Sequence, residues 1–131
     1  MYIPEGYGTL FPYFVVSDAN AFAEFLKSVY DAQEVGRSVH NGRIANIRLR
    51  IGTSTFMVSE SNQENMNSMS AAYYLYVENA DQTYAKALAH GAKSIFAPMD
   101  MPYLDRQGGV TDPFGNLWWI STRLAPEPYD A

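Results

Sequence analysis

Two spacings of apolar residues alternate along the chain, and each selects a different element. Phe22, Phe25, Leu26 and Val29 recur at i, i+3, i+4 and i+7, which draws one apolar stripe along a helix, and Asp18 stands where an N-cap belongs. Farther on, Ile47, Leu49 and Ile51 alternate with Asn46, Arg48 and Arg50, the period-2 signature of a strand with one apolar and one polar face. Around these lie further extended segments. "TLFPYFVV" (residues 9–16) precedes the helix, "AQEVGRSVH" and "RIANIRLRI" flank Asn41-Gly42, and "STFMVSE" follows. An Asn-Gly pair between two extended runs predicts a hairpin, because both residues tolerate the positive φ of a type I′ turn. The first half therefore reads strand, helix, three strands.

The second half repeats this order about 60 residues later. Val77 follows Val16 by 61 positions, "YYLYVENA" matches "YFVVSDA", and Phe56-Met57-Val58-Ser59 aligns with Trp118-Trp119-Ile120-Ser121 at an offset of 62. Tyr84 and Leu88 supply the stripe of a second helix that ends at His90-Gly91. Two βαβββ modules are predicted, residues 9–60 and 72–123, within a single domain spanning 1–131. Residues 61–71 form a polar linker carrying Met66 and Met69, either a mobile connection or a lid over a pocket. Residues 97–109, "APMDMPYLDRQGG", read as irregular, and 124–131 as a solvated tail. The run Asp112-Pro113-Phe114-Gly115-Asn116 is a turn by its chemistry.

The paired modules, the "DPFGN" turn and the stretch "SDANAFAEFLKSVYDAQEVGR" together resemble the vicinal oxygen chelate superfamily, the glyoxalase/bleomycin-resistance/dioxygenase group, and within it the PhnB-like branch. The resemblance runs from about residue 9 to 123. It implies an α+β fold whose modules form a curved, mostly antiparallel eight-stranded sheet, with helices on the convex face and the ligand on the concave one. It also implies association of two chains as a homodimer. Enzymes of this group bind a divalent metal through four inward residues, usually His and Glu, and those positions fall on Phe11, Met57, Ala72 and Trp119 here.

Composition narrows the choice of partner. With a net charge of -5 over 131 residues, the chain lacks the excess of Lys and Arg that phosphate neutralisation requires, so nucleic acid is not expected. There is no Cys, hence neither a disulfide framework nor a thiolate zinc site. No apolar run approaches the ~20 residues that span a bilayer, and the first residues do not read as a signal peptide. A cytoplasmic protein with no membrane association is expected. The aromatic share of 15%, with ten tyrosines, points instead to an interior and a pocket dominated by rings.

A phenyl ring, a thioether, a methyl group and an indole offer no carboxylate or imidazole donor, so no metal and no cofactor is expected at the four positions. His40 stands beside the hairpin turn and His90 at a helix end, where structural reasons suffice. Glu60 is turned away by alternation. The same alternation assigns Phe11, Tyr13, Val15, Thr55, Met57, Ser59, Ala72, Tyr74, Tyr76, Trp119 and Ser121 to the concave lining and Trp118 to the opposite side. Candidate ligand contacts are Phe11, Tyr13, Met57, Ser59, Tyr74, Tyr76 and Trp119, unless these rings merely pack on one another. Arg48, with Asn46, lies either at the pocket wall or in solvent. Arg106 either braces its loop through Asp105 or reaches the ligand.

No Gly-x-Ser-x-Gly, phosphate-cradling loop or Cys nucleophile is present, so catalytic residues are not identified. The leading expectation is a metal-independent protein of the bleomycin-resistance kind that holds a small organic molecule in an aromatic cleft. One alternative is a metal-free lyase or isomerase that polarises a carbonyl with Tyr74, Tyr76 or Arg106. Another is a protein-interaction module.

Overall fold

The computed structural model describes residues 1–62 and 67–129, so Met66 of the linker and the last two residues of the tail lie outside the described residues. In chain order the elements are β1 (Tyr13–Val16), α1 (Ala19–Tyr30), β2 (Gln33–His40), β3 (Arg43–Ile51), β4 (Ser54–Glu60), β5 (Ala72–Tyr76), α2 (Ala80–Ala89), β6 (Lys93–Asp100), β7 (Asp105–Thr111) and β8 (Leu117–Arg123). This is an α+β fold of two βαβββ modules. The strands pair as two four-stranded sheets, β1-β4-β3-β2 and β5-β8-β7-β6. In each, the first strand runs parallel to the last and the other pairs are antiparallel. The chain divides into two compact units at the linker, Met1–Met69 and Ser70–Ala131.

The internal repeat reappears as equal register. Tyr13 pairs with Met57 and Val15 with Ser59 in the first sheet, as Tyr74 pairs with Trp119 and Tyr76 with Ser121 in the second. In the first unit, Phe14, Val16, Ile47, Leu49, Phe56 and Val58 form the apolar side of the sheet, and α1 covers it with Phe22, Phe25, Leu26 and Val29. Full burial of side chains such as Phe22 and Leu26 contributes about 1.5–3 kcal/mol each. Asp18 caps α1 by accepting from the Ala21 N–H, and Glu60 accepts from the Ala19 N–H at 2.9 Å, so its carboxylate serves the helix end. The β2–β3 hairpin turns at Asn41 and Gly42, with φ of 52° and 75°.

In the second unit α2 lies on the sheet through smaller side chains. Ala80, Thr83 and Ala87 are buried, whereas Leu88 of the expected stripe remains 37% exposed. Tyr84 rests over Gly108, where an added Cβ would come within 2.9 Å of its ring, so the sheet side is kept bare for it. The turn joining β7 to β8 is organised by the buried Asp112. Its Oδ1 accepts from the N–H groups of Phe114 and Asn116 at 2.8 and 3.0 Å, and its Oδ2 accepts from Trp118 Nε1 at 2.7 Å. Trp118 thereby packs against the helix side while its one polar atom is satisfied, and its ring lies 5.1 Å from that of Tyr73.

Two strand boundaries differ from those expected. The first strand starts at Tyr13, because Pro12 has no N–H to give a ladder; only its carbonyl takes part, accepting from Met57 N at 3.2 Å. The region 97–109 is not irregular. It is the β6–β7 hairpin, with a register shift between Phe96 and Met99 that accommodates Pro98, and only residues 101–104 are turn.

Candidate ligand-binding face

Register sorts the side chains of the second sheet into rows on the face opposite α2. Tyr74, Trp119 and Gly109 form one row, Tyr76, Ser121 and Gln107 the next, and Arg123 and Asp105 the last. In the first row the missing Gly109 side chain lets the Trp119 indole lie across β7 and stack on Phe96, with ring centroids 5.9 Å apart and planes at 26°. Trp119 is thus held flat by its neighbours and remains partly open to solvent. In the second row Gln107 donates to Ser121 Oγ at 2.8 Å and accepts from the Tyr103 hydroxyl at 2.6 Å.

The third row contains a buried, paired carboxylate. Asp105 is fully buried, and a buried carboxylate persists only where donors replace its water. Its Oδ2 accepts from the hydroxyls of Tyr76 at 2.9 Å, Tyr129 at 3.0 Å and Tyr74 in a short bond. Its Oδ1 accepts from Arg123 at 3.1 Å. Desolvation, and then donation to the Asp105 carboxylate, push the Tyr74 phenol well above the ordinary tyrosine range. The consequence is chemical. With their hydrogens committed to Asp105, the phenol oxygens of Tyr74 and Tyr76 keep lone pairs as acceptors, and their rings, 5.4 Å apart and each 46% exposed, present open π faces. Beside this cluster, residues of the β6–β7 turn and of the tail, among them Tyr103, Leu104, Arg123 and Tyr129, line a cavity of about 410 Å³.

The first sheet carries the other set of expected residues. Tyr13 and Ser59 share a short hydrogen bond, Asn46 donates to the Met57 sulfur at 3.5 Å, and Arg48 reaches Asn46 at 3.1 Å and Ser38 at 3.2 Å. Arg48 pairs with Met57 across the ladder and lies over Gly36, which has no side chain to obstruct it. Phe11 precedes β1 and packs on Tyr7 at 5.0 Å. So Tyr13, Met57, Ser59 and Arg48 share one face of the first sheet, and Tyr74, Tyr76 and Trp119 one face of the second.

Arg106 lies elsewhere. Neighbouring residues of a strand point to opposite faces, and Arg106 turns to the helix side, where it clamps Asp81 through two hydrogen bonds of 2.7 and 2.9 Å and Asp100 at 3.0 Å. The partner of Asp105 is Arg123 instead. The positions where related enzymes carry metal ligands hold a ring, a thioether engaged by Asn46, a methyl and a stacked indole, a set that does not fit a divalent ion. Among the described residues no group of three or more His, Cys, Asp or Glu is arranged to hold a metal. His90 closes α2, its Nδ1 lying 2.9 Å from the Lys86 carbonyl. Asp105, Gln107, Arg123, Tyr103 and Tyr129 had not been expected in the site. Alternation along β7 and β8 carries the signal for Asp105, Gln107 and Arg123, whereas Tyr103, in the turn, and Tyr129, in the tail, carry none.

The sequence profile described as the Glyoxalase/Bleomycin resistance protein/Dioxygenase superfamily matches residues 8–120. An uncharacterized protein of Mycobacterium bovis is 30% identical over 120 residues, covering 83% of this chain and 79% of its own length. Among solved structures, TioX from Micromonospora sp. ML1 aligns with a TM-score of 0.75 at 21% identity, covering 89% of this chain and 100% of that one. A gene product of Arabidopsis thaliana aligns with a TM-score of 0.72 at 23% identity, covering 88% and 98%. A PhnB protein from Bacillus cereus aligns with a TM-score of 0.69 at 18% identity, covering 88% and 99%. At these identities the solved structures speak for the fold.

Proposed function

Because this chain belongs to the glyoxalase/bleomycin resistance protein/dioxygenase superfamily while its four ligand positions carry apolar side chains, we propose that it is a metal-independent small-molecule binding protein of the bleomycin-resistance kind. The ligand is a planar organic molecule that stacks on Tyr74, Tyr76 and Trp119 and donates hydrogen bonds to the phenol oxygens. The observation that carries this reading is the half-exposed aromatic face whose hydroxyl hydrogens are all taken by one buried carboxylate. Rings of this kind offer stacking area at little entropic cost, and fixed acceptors orient what stacks on them. The protein acts in the cytoplasm as a homodimer, a state that the exposed Val35 and Val39 on edge strand β2 support. No helix among the described residues is long and apolar enough to cross a membrane.

The geometry gives less support to a metal-free enzyme. A phenol whose proton is held this firmly is a poor general base, and Arg106 is engaged by two carboxylates on the other side of the sheet.

The test uses the two indoles. Trp118→Phe leaves Trp119 as the one tryptophan, and its emission is followed while planar aromatic compounds bearing amino or hydroxyl groups are titrated in the presence of EDTA. Saturable quenching by at least one such compound, lost in Tyr74→Ala, is expected. Emission indifferent to every compound would remove the proposal.

A further inference from the structure

The third phenol on Asp105 differs in origin from the other two. Tyr74 and Tyr76 come from a strand, whereas Tyr129 comes from the tail beyond β8. Its hydroxyl lies 3.0 Å from Asp105 Oδ2, and its ring sits under the Arg123 guanidinium, 4.8 Å from centroid to cation. These two contacts are what a phenolic ligand needs: a charged acceptor for the hydroxyl and a cation for the π face. The seat is also easy to vacate. Tyr129 is 51% exposed, and beyond Leu124, whose N–H donates to the Leu104 carbonyl at 2.9 Å, the tail is held by Arg123 through the carbonyls of Glu127 and Pro128, at 2.7 and 3.4 Å. Beside it opens the cavity of about 410 Å³, within the ~300–1,000 Å³ usual for small-ligand sites.

We infer that the seat of the Tyr129 phenol is a binding site for the hydroxyaryl group of a ligand, and that Tyr129 acts as its internal stand-in. This rests on the proposed function, since Asp105 belongs to the same face, and it adds the ligand class and a tail that competes for the site. The arriving hydroxyl donates to Asp105 Oδ2 as Tyr129 leaves, Arg123 covers the new ring, and no bond is made or broken covalently. Affinity in the intact chain is therefore reduced by the fraction of time that Tyr129 occupies the seat.

The experiment compares binding of 4-ethylphenol and ethylbenzene to the full chain and to its Tyr129→Ala and Tyr129→Phe variants by calorimetry. Tyr129→Ala should gain about tenfold more affinity for 4-ethylphenol than for ethylbenzene, the worth of roughly one hydrogen bond to a charged acceptor, since ethylbenzene can use only the Arg123 contact. Tyr129→Phe, which keeps the ring and loses the hydroxyl, should show a smaller gain for the phenol alone. Equal affinity for 4-ethylphenol in all three proteins overturns the inference, as do equal gains for both compounds, which would mean that only space had been opened. If planar compounds quench Trp119 while 4-ethylphenol gains nothing, this inference alone falls. If nothing binds any of the three proteins, the reading of the whole face falls with it.

Discussion

Replacing Asp105 by Asn removes one charge from the centre of the candidate site without changing its shape. The carboxylate is fully buried, accepts from three phenols and pairs with Arg123, whose side chain is 22% exposed. Breaking a buried ion pair from one side costs about 3–5 kcal/mol when the remaining charge is fully buried. Arg123 retains some water and the amide keeps one acceptor oxygen, so a loss of about 2–3 kcal/mol is expected. In thermal unfolding this corresponds to a fall in Tm on the order of 10 °C for a chain of this size. A second readout is specific to the cluster. Tyr74 is raised above the ordinary phenol value of 10.0 by desolvation first and by its bond to Asp105 second, and Asn removes the second cause. A raised folded-state value means that the neutral phenol stabilises the fold fully below pH 10.0 and that this contribution is lost as pH rises through the folded value. Ultraviolet titration should therefore find the most resistant tyrosine ionising earlier in Asp105→Asn, with a flatter alkaline limb of stability. A variant within about 0.5 kcal/mol of the parent, with Tyr74 titrating as before, would show that Asp105 does not hold the cluster together.

Gly109→Ala should destabilise the chain by about 1–3 kcal/mol in denaturant unfolding, because the new methyl would lie 2.7 Å from Trp119 and 2.8 Å from Phe96 and must part the stack. Its tryptophan emission should also shift, and a variant unchanged in both respects would deny that Trp119 lies over Gly109. Glu34, held by Arg37 foremost and also by Lys27, has its carboxyl lowered from 4.5 to about 2, so its contribution is present above pH 4.5 and is lost as pH falls toward 2. Glu34→Gln should flatten stability in that acid window while costing under about 1 kcal/mol at pH 7, as expected for a pair near the surface. An unaltered acid limb would count against the pairing.

The fold was legible because its signals are local and periodic. Phe22, Phe25, Leu26 and Val29 fell on the buried side of α1, Asn41-Gly42 made the turn, and the 61- and 62-residue offsets returned as matching register. Period-2 alternation placed Tyr74, Tyr76 and Trp119 on one face and Trp118 on the other. It failed where proline and glycine density concealed a strand. Pro98 and Pro102, with Gly108 and Gly109, made the β6–β7 hairpin look like loop, although the glycines are there to admit Tyr84 and Trp119. Once that strand was missed, Asp105 could not be placed opposite Arg123. Tyr129 is legible in no pattern, since its position depends on a long-range bond to Asp105 from a segment without regular structure.

In the proposed function, binding of an organic ligand depends on rings and fixed acceptors and not on an ion. This dependence is tested most directly by calorimetric titration of one planar compound, chosen by the Trp119 fluorescence screen, into protein dialysed against EDTA and into the same protein resupplied with Mg2+, Mn2+, Ni2+ or Zn2+. Equal affinity in every sample and loss of binding in Trp119→Ala are expected. Binding that vanishes on chelation and returns with one of these ions would contradict the proposal.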